Sequence, residues 1–133
     1  MTAKQLAYYE EKLNYEIDSW DLFVALNAGE NIIVVDGRSI EAYTKEHIPN
    51  ALNLPHRTMS EDTLAHLSKE PIYVTYCDGI GCNASTKSAY KMLALGFKVK
   101  ELIGGLDWWK RDGYQTEGEN AQQATSSVLD CGC

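Results

Sequence analysis

Cys77 stands where this 133-residue chain changes character, and it is the side chain best placed to act as a nucleophile. It follows Ile72, Tyr73, Val74, Thr75 and Tyr76, a β-branched and aromatic run with the composition of a buried strand. Asp78, Gly79, Ile80 and Gly81 break that run, because the two glycines tolerate backbone angles that other residues avoid. Asn83 or Ser85 can then cap a helix carrying Ala84, Lys87, Ala89, Tyr90, Met92, Leu93, Ala94 and Leu95, with Gly96 as its C-cap. The pattern predicts a thiol at the carboxyl end of a strand, facing a loop that runs into a helix N-terminus. Open α/β sheets bind their ligands at such places. Loop N–H groups and the positive end of a helix dipole together make an anion cradle. A thiol inside it ionises more easily, and the thiolate is the nucleophilic form. Sulfur transfer, phosphate-ester chemistry and thiol redox work are all open to this arrangement. So is the plain role of a small buried residue at a strand end.

The elements that must position Cys77 read as alternating helices and strands. Leu6, Tyr9 and Leu13 are spaced as one face of a helix over residues 2–15, expected to lie against the domain. Asp18 or Ser19 caps a second helix through Trp20, Leu22, Phe23 and Leu26. Residues 32–36, IIVVD, form a second continuous β-branched strand, and a short helix over residues 39–46 follows it. Pro49 and Pro55 confine any strand between them to about four residues. A helix starting at Ser60 carries Leu64 and Leu67, and residues 99–103 make a last strand. After the Gly104-Gly105 bend comes a helix with Trp108 and Trp109, of which consecutive spacing buries one. Residues 115–130, rich in Gln, Ser, Thr and Glu, read as a solvated tail. The expected layout is an N-terminal helix (1–16), one α/β domain (17–114) and a polar tail with Cys-Gly-Cys (115–133).

A composition of 44% hydrophobic and 23% charged residues suits a soluble globular domain, and a formal net charge of −7 argues against nucleic acid or an anionic membrane as partner. No apolar run approaches the roughly 20 residues of a membrane span, and the N-terminus has no signal-peptide core. A cytoplasmic protein is expected. There, Cys77, Cys82, Cys131 and Cys133 are expected to be reactive or metal-binding rather than structurally bridged. Zinc on all four thiolates fits poorly, since C-x4-C with C-x-C departs from the usual two-residue gaps.

Three separated stretches give a resemblance. Val34-Val35-Asp36-Gly37-Arg38 with Glu41, Tyr43, His47-Ile48-Pro49-Asn50-Ala51 and Asn53-Leu54-Pro55 is the first. Tyr76-Cys77, with its loop and a helix ending Leu95-Gly96-Phe97, is the second; Gly104-Gly105 followed by Trp108 or Trp109 is the third. Over residues 17–114 the chain resembles a single-domain rhodanese. That resemblance implies a five-stranded parallel sheet flanked by helices on both faces, and Cys77 as the residue that accepts a sulfane sulfur. A persulfide on Cys77 would be stabilised by the loop of Asp78, Gly79, Ile80, Gly81, Cys82 and Asn83. The implied partners are a small sulfane-sulfur donor and a thiol or cyanide acceptor, with no metal and no organic cofactor.

The chain also departs from the family's usual loop, which is about two residues shorter and often carries a cation. Residues 78–85 contain neither Arg nor Lys, which argues against the phosphatases and arsenate reductases of the same fold. Asp78, acidic and beside the nucleophile, should oppose thiolate formation and capture of a dianionic donor. Arg57 is the first candidate for a cation at the site and Lys87 the second. Asp36 and Arg38 are expected to form a salt bridge that fixes the loop, and His47 to be a hydrogen-bonded turn residue. Cys82 is open to two readings, a resolving thiol for Cys77 or a small residue packed under the helix start. Cys131 and Cys133 could receive sulfur or be incidental. A catalytically idle interaction module, or a redox sensor, is the alternative to an enzyme.

Overall fold

The two β-branched runs pair side by side, Ile32–Asp36 (β2) with Ile72–Tyr76 (β4), at the centre of one parallel sheet in the computed structural model, which describes residues 2–125. Three further strands complete it: Glu16–Ile17 (β1), Leu52–Asn53 (β3) and Lys98–Leu102 (β5), in the order β1-β5-β4-β2-β3. Every pairing is parallel, so the sheet must be covered on both faces. The helices are Ala3–Tyr15 (α1), Ser19–Asn27 (α2), Ile40–Lys45 (α3), Ala84–Ala94 (α4) and Gly105–Arg111 (α5), with a 3-10 turn at His56–Thr58.

Alternation along the central strands decides which helices cover which face. Val34, Val74 and Tyr76 pack with Leu22 of α2 and with Leu106 and Trp109 of α5. Val35 and Tyr73 point the other way, into a cluster with Met92 of α4, Phe97 and Leu64. Trp109 is buried and its neighbour Trp108 is 45% exposed, as consecutive helix positions require. The helix ends follow the residues expected to make them. Asp18 accepts from the Asp21 amide (2.8 Å), and Gly96, at φ 93°, lets the Phe97 amide return to the Met92 carbonyl (3.1 Å). No helix among the described residues is long and apolar enough to cross a membrane.

Four expectations differ. β1 was not foreseen, because two residues joining the sheet edge opposite Glu101 and Leu102 leave too little pattern to read. Residues 61–66 form turns rather than a helix: Ser60 and Thr63 bond each other's amides (2.8 and 3.1 Å), and such local bonds compete with helical ones. Leu64 still reaches the core. α1 does not bury its apolar stripe; Leu13 is 79% exposed, and the helix holds by local bonds, Thr2 accepting from the Gln5 amide and Lys12 pairing with Glu16. Finally, residues 115–125 are docked by hydrogen bonds, although most of them stay exposed as expected of a solvated segment. Thr116 is buried and donates to Glu46 Oε2 (2.6 Å), His47 and Glu117 exchange backbone bonds, and the Thr125 amide donates to the Gly113 carbonyl. This segment is held by hydrogen bonds rather than by apolar burial, so its polar composition misled.

Thr116→Val keeps the shape but removes a donor from the buried Glu46 carboxylate, leaving it Lys110 at 2.8 Å. We expect a loss of about 1–3 kcal/mol in urea unfolding, with faster amide exchange across residues 115–125.

Candidate active site

The connection after β2 runs outward to β3 and the connection after β4 runs the opposite way to β5, so a crevice opens at their carboxyl ends. Asp36 and Tyr76 are register partners there, and the Gly37 amide donates to the Tyr76 carbonyl (3.1 Å). The pairing sets Cys77 beside the Asp36-Gly37-Arg38 turn.

Cys77 is 2% exposed and disulfide-bonded to Cys82, with their Cα atoms 6.3 Å apart. Of the two readings of Cys82, the structure therefore realises the bonded one. Cys82 itself is half-buried, while Ile80 between them is 88% exposed. Cys131 and Cys133 lie outside the described residues. Gly81 takes φ 95°, which needs glycine. Of the two cap candidates, Asn83 occupies the N-cap position of α4, without a side-chain cap bond. The amides of Asp78, Gly79, Ile80 and Gly81 find no acceptor among the described residues, whereas the Cys82 amide donates to the Gly79 carbonyl (3.3 Å).

The first half of the loop is clamped from behind by α5. Leu106 and Asp107 amides donate to the carbonyls of Cys77 (2.9 Å) and Asp78 (2.7 Å). Gly105 permits this approach: a Cβ there would lie 2.8 Å from the Gly79 nitrogen and closer still to the Cys77 carbonyl oxygen.

Arg38 holds the site from the other side. Its Nε and Nη2 make a two-pronged contact with buried Asp36 (2.9 and 2.7 Å), Nη2 also donates to the Glu46 carbonyl (2.6 Å), and Nη1 reaches Asp78 Oδ1 (2.9 Å). Tyr76 donates its hydroxyl to Asp36 Oδ2 (2.8 Å) and accepts from the Ile48 amide. Burial opposes the Arg38 charge, but bonds to Asp36 and then Asp78 more than offset it and hold its pKa above the ordinary range. Burial, followed by the Asp36 charge, pushes the Tyr76 phenol upward, so it stays a donor. Asp36 and Arg38 thus form the fixing pair anticipated, and Asp78 has a cationic partner that no count of the loop's own residues could reveal. Glu46, Asn53 (which donates to the Asp36 and Arg38 carbonyls) and the Tyr76 hydroxyl were missed, since only the strand pairing brings them together.

Arg57 and Lys87 are exposed and their charges act on His56; the Lys87 amide donates to the Asn83 carbonyl (2.9 Å). Burial first, then the charges of Lys91, Lys87 and Arg57, lower the His56 pKa. His47 stacks on Tyr43 with ring centres 3.7 Å apart, and its Nδ1 lies 2.6 Å from the Tyr43 carbonyl, as a turn histidine should. Among the described residues no three His, Cys, Asp or Glu side chains gather as a metal site.

Residues 19–112 match the model of the rhodanese-like domain, and the chain belongs to that family. A thiosulfate sulfurtransferase GlpE of Coxiella burnetii is 32% identical over 95 residues, 71% of this chain and 82% of that protein. The crystal structure of the BH2092 protein from Bacillus halodurans superposes with a TM-score of 0.84 at 45% identity, covering 89% of this chain and 87% of that one. The solution structure of the rhodanese-like domain of Alr3790 from Anabaena gives 0.71 at 26% identity, over 85% and 84% of the two chains. The five-stranded parallel sheet and the family are therefore as anticipated from the sequence.

Replacing Arg38 by Met strands the Asp36 carboxylate in the interior, and urea unfolding should register a loss of about 3–5 kcal/mol, part of it recovered when Asp36→Asn is added. His56 gives a pH signature. Its folded pKa lies below the ordinary 6.5, so the unfolded chain binds the proton first and stability present above 6.5 is lost as pH falls through the folded value. Melting temperature should drop across that window, and His56→Asn should flatten the drop.

Proposed function

We propose that this chain moves a sulfane sulfur from a small donor, thiosulfate-like or a persulfide, to a thiol or cyanide acceptor through a persulfide on Cys77. The observation that carries the reading is the place of Cys77: the carboxyl end of β4 at the sheet's crevice, followed by four amides without acceptors among the described residues and then the N-terminus of α4. The active form is the dithiol, in which the Cys77 thiolate attacks the outer sulfur of the donor. That S–S bond breaks, and sulfite or a thiolate leaves with the electron pair. The amides of residues 78–81 are the donors assigned to the terminal sulfur of the persulfide. An acceptor thiolate or cyanide then removes that sulfur and restores Cys77. Asp36 and Arg38 support the loop; Asp78, Gly79, Ile80, Gly81, Cys82 and Asn83 line the path to it, and Arg57 is the first cation candidate for an anionic donor. A cycle that starts from thiols belongs in the cytoplasm, where thiols stay reduced.

Arg38 is engaged by Asp36, Asp78 and the Glu46 carbonyl, which leaves phosphate or arsenate no free arginine in the loop. A second reading, a redox-sensing module, draws on the disulfide and on the near-complete burial of Cys77.

Thiocyanate formation from cyanide, with either thiosulfate or glutathione persulfide as donor and the protein pre-reduced, decides between them. Wild type should turn over, and Cys77→Ser should fall to the background rate. A reduced wild type that takes up no sulfur from either donor leaves the redox module standing.

A further inference from the structure

We propose that Cys82 is a resolving thiol that discharges the Cys77 persulfide as hydrosulfide, so that with a dithiol reductant the chain reduces sulfane sulfur to sulfide. This rests on the sulfur-transfer reading of Cys77. Its own ground is the Cys77–Cys82 disulfide, which is the product such a step leaves behind.

The loop is built unevenly, and the unevenness assigns the two roles. Cys77 lies at the fixed end, with its carbonyl and that of Asp78 bound by α5 amides and the Asp78 side chain bound by Arg38. The half carrying Cys82 is attached, apart from the disulfide, by the Cys82 amide to the Gly79 carbonyl and by the start of α4 that follows it, and a Cβ added at Gly81 beside it would meet open space. Once the disulfide is reduced, the second thiol can swing away while the first keeps its place. An external thiol must reach a residue that is 2% exposed in the bonded form; Cys82 is already within bonding distance, so its attack is intramolecular.

The electrons balance without further components. The Cys82 thiolate attacks Sγ of Cys77, the Sγ–Sγ bond forms, and the bond to the outer sulfur breaks. That sulfur leaves as HS⁻ with the bonding pair, a better leaving group than a cysteine thiolate. The two cysteines lose two electrons and the sulfane sulfur gains them. A dithiol then attacks the half-buried Cys82 sulfur, Cys77 departs as the thiolate, and the second thiol of the reductant closes its own disulfide. Thiosulfate and a dithiol thus give sulfite, sulfide and a disulfide.

The test is a single turnover of the full chain, pre-reduced, freed of reductant and mixed with thiosulfate or glutathione persulfide without an acceptor. Wild type should release one sulfide per chain and end two hydrogens lighter than the reduced protein, with peptide mapping joining Cys77 to Cys82. Cys82→Ser and Cys82→Ala should release none and carry one added sulfur that cyanide removes. The double variant Cys131→Ser/Cys133→Ser should behave as wild type. A wild type that holds its added sulfur without releasing sulfide overturns the role of Cys82 and leaves sulfur transfer intact; so does loss of sulfide in the Cys131/Cys133 variant. If neither wild type nor Cys82→Ser takes up sulfur, the sulfur-transfer reading itself fails.

Discussion

A single buried guanidinium ties the strand ends to the loop. Arg38 binds the carboxylate at the end of β2, the carbonyl closing α3 and the acidic residue after Cys77. The geometry is possible because β2 and β4 are register partners, which brings residues 38 and 78 together across forty positions of sequence. Burying this charge is unfavourable in itself; the two-pronged contact with Asp36 and the bond to Glu46 make it tolerable. The same contacts fix where Asp78 sits, and with it the chain direction as it leaves Cys77.

The opposite side of the loop is governed by backbone rather than charge. Gly104 and Gly105, both at positive φ, let α5 begin against the Cys77 carbonyl, and the first amides of α5, which have no partner within their own helix, take the loop carbonyls as acceptors. One contact set thus satisfies the helix start and immobilises the nucleophile. Gly79 still packs against Gly104 and Asp107, and the α5 amides bond no carbonyl beyond Asp78.

The central strands were legible because residues 32–35 are β-branched and residues 72–76 are β-branched or aromatic, and α4 because Gly96 marks its end. The position of Cys77 followed from those two readings alone. What stayed hidden depends on pairing that sequence does not encode locally. β1 has two residues, too few for a period, and the 61–66 segment has helix-forming composition but side chains that bond their own backbone instead. Arg38 reaching Asp78 needed the register of β2 on β4, and Thr116 under Glu46 needed the return of a polar segment that carries no apolar signature. Cys82 was left open for a related reason. Five residues of separation allow a disulfide but do not require one, and the turn at Gly81 decides it.

The charge at this site bears on which donor it accepts. Asp36 and Asp78 flank one Arg38, so the cluster as a whole carries a net negative charge when both carboxylates are ionised. Asp78 is largely exposed, and water screens its effect, but no uncompensated cation is supplied from within the loop. A dianion such as thiosulfate would have to draw on the amides of residues 78–81 against this charge, and a persulfide donor carrying less charge would be opposed less. Ile80 and Gly81 leave an exposed rim at this loop. For the proposed sulfur transfer, charge and rim together favour a low-charge persulfide over thiosulfate as the donor to test. A thiolate at Cys77 has to be stabilised by main-chain dipoles, in a site whose one buried cation is already committed to its own scaffold.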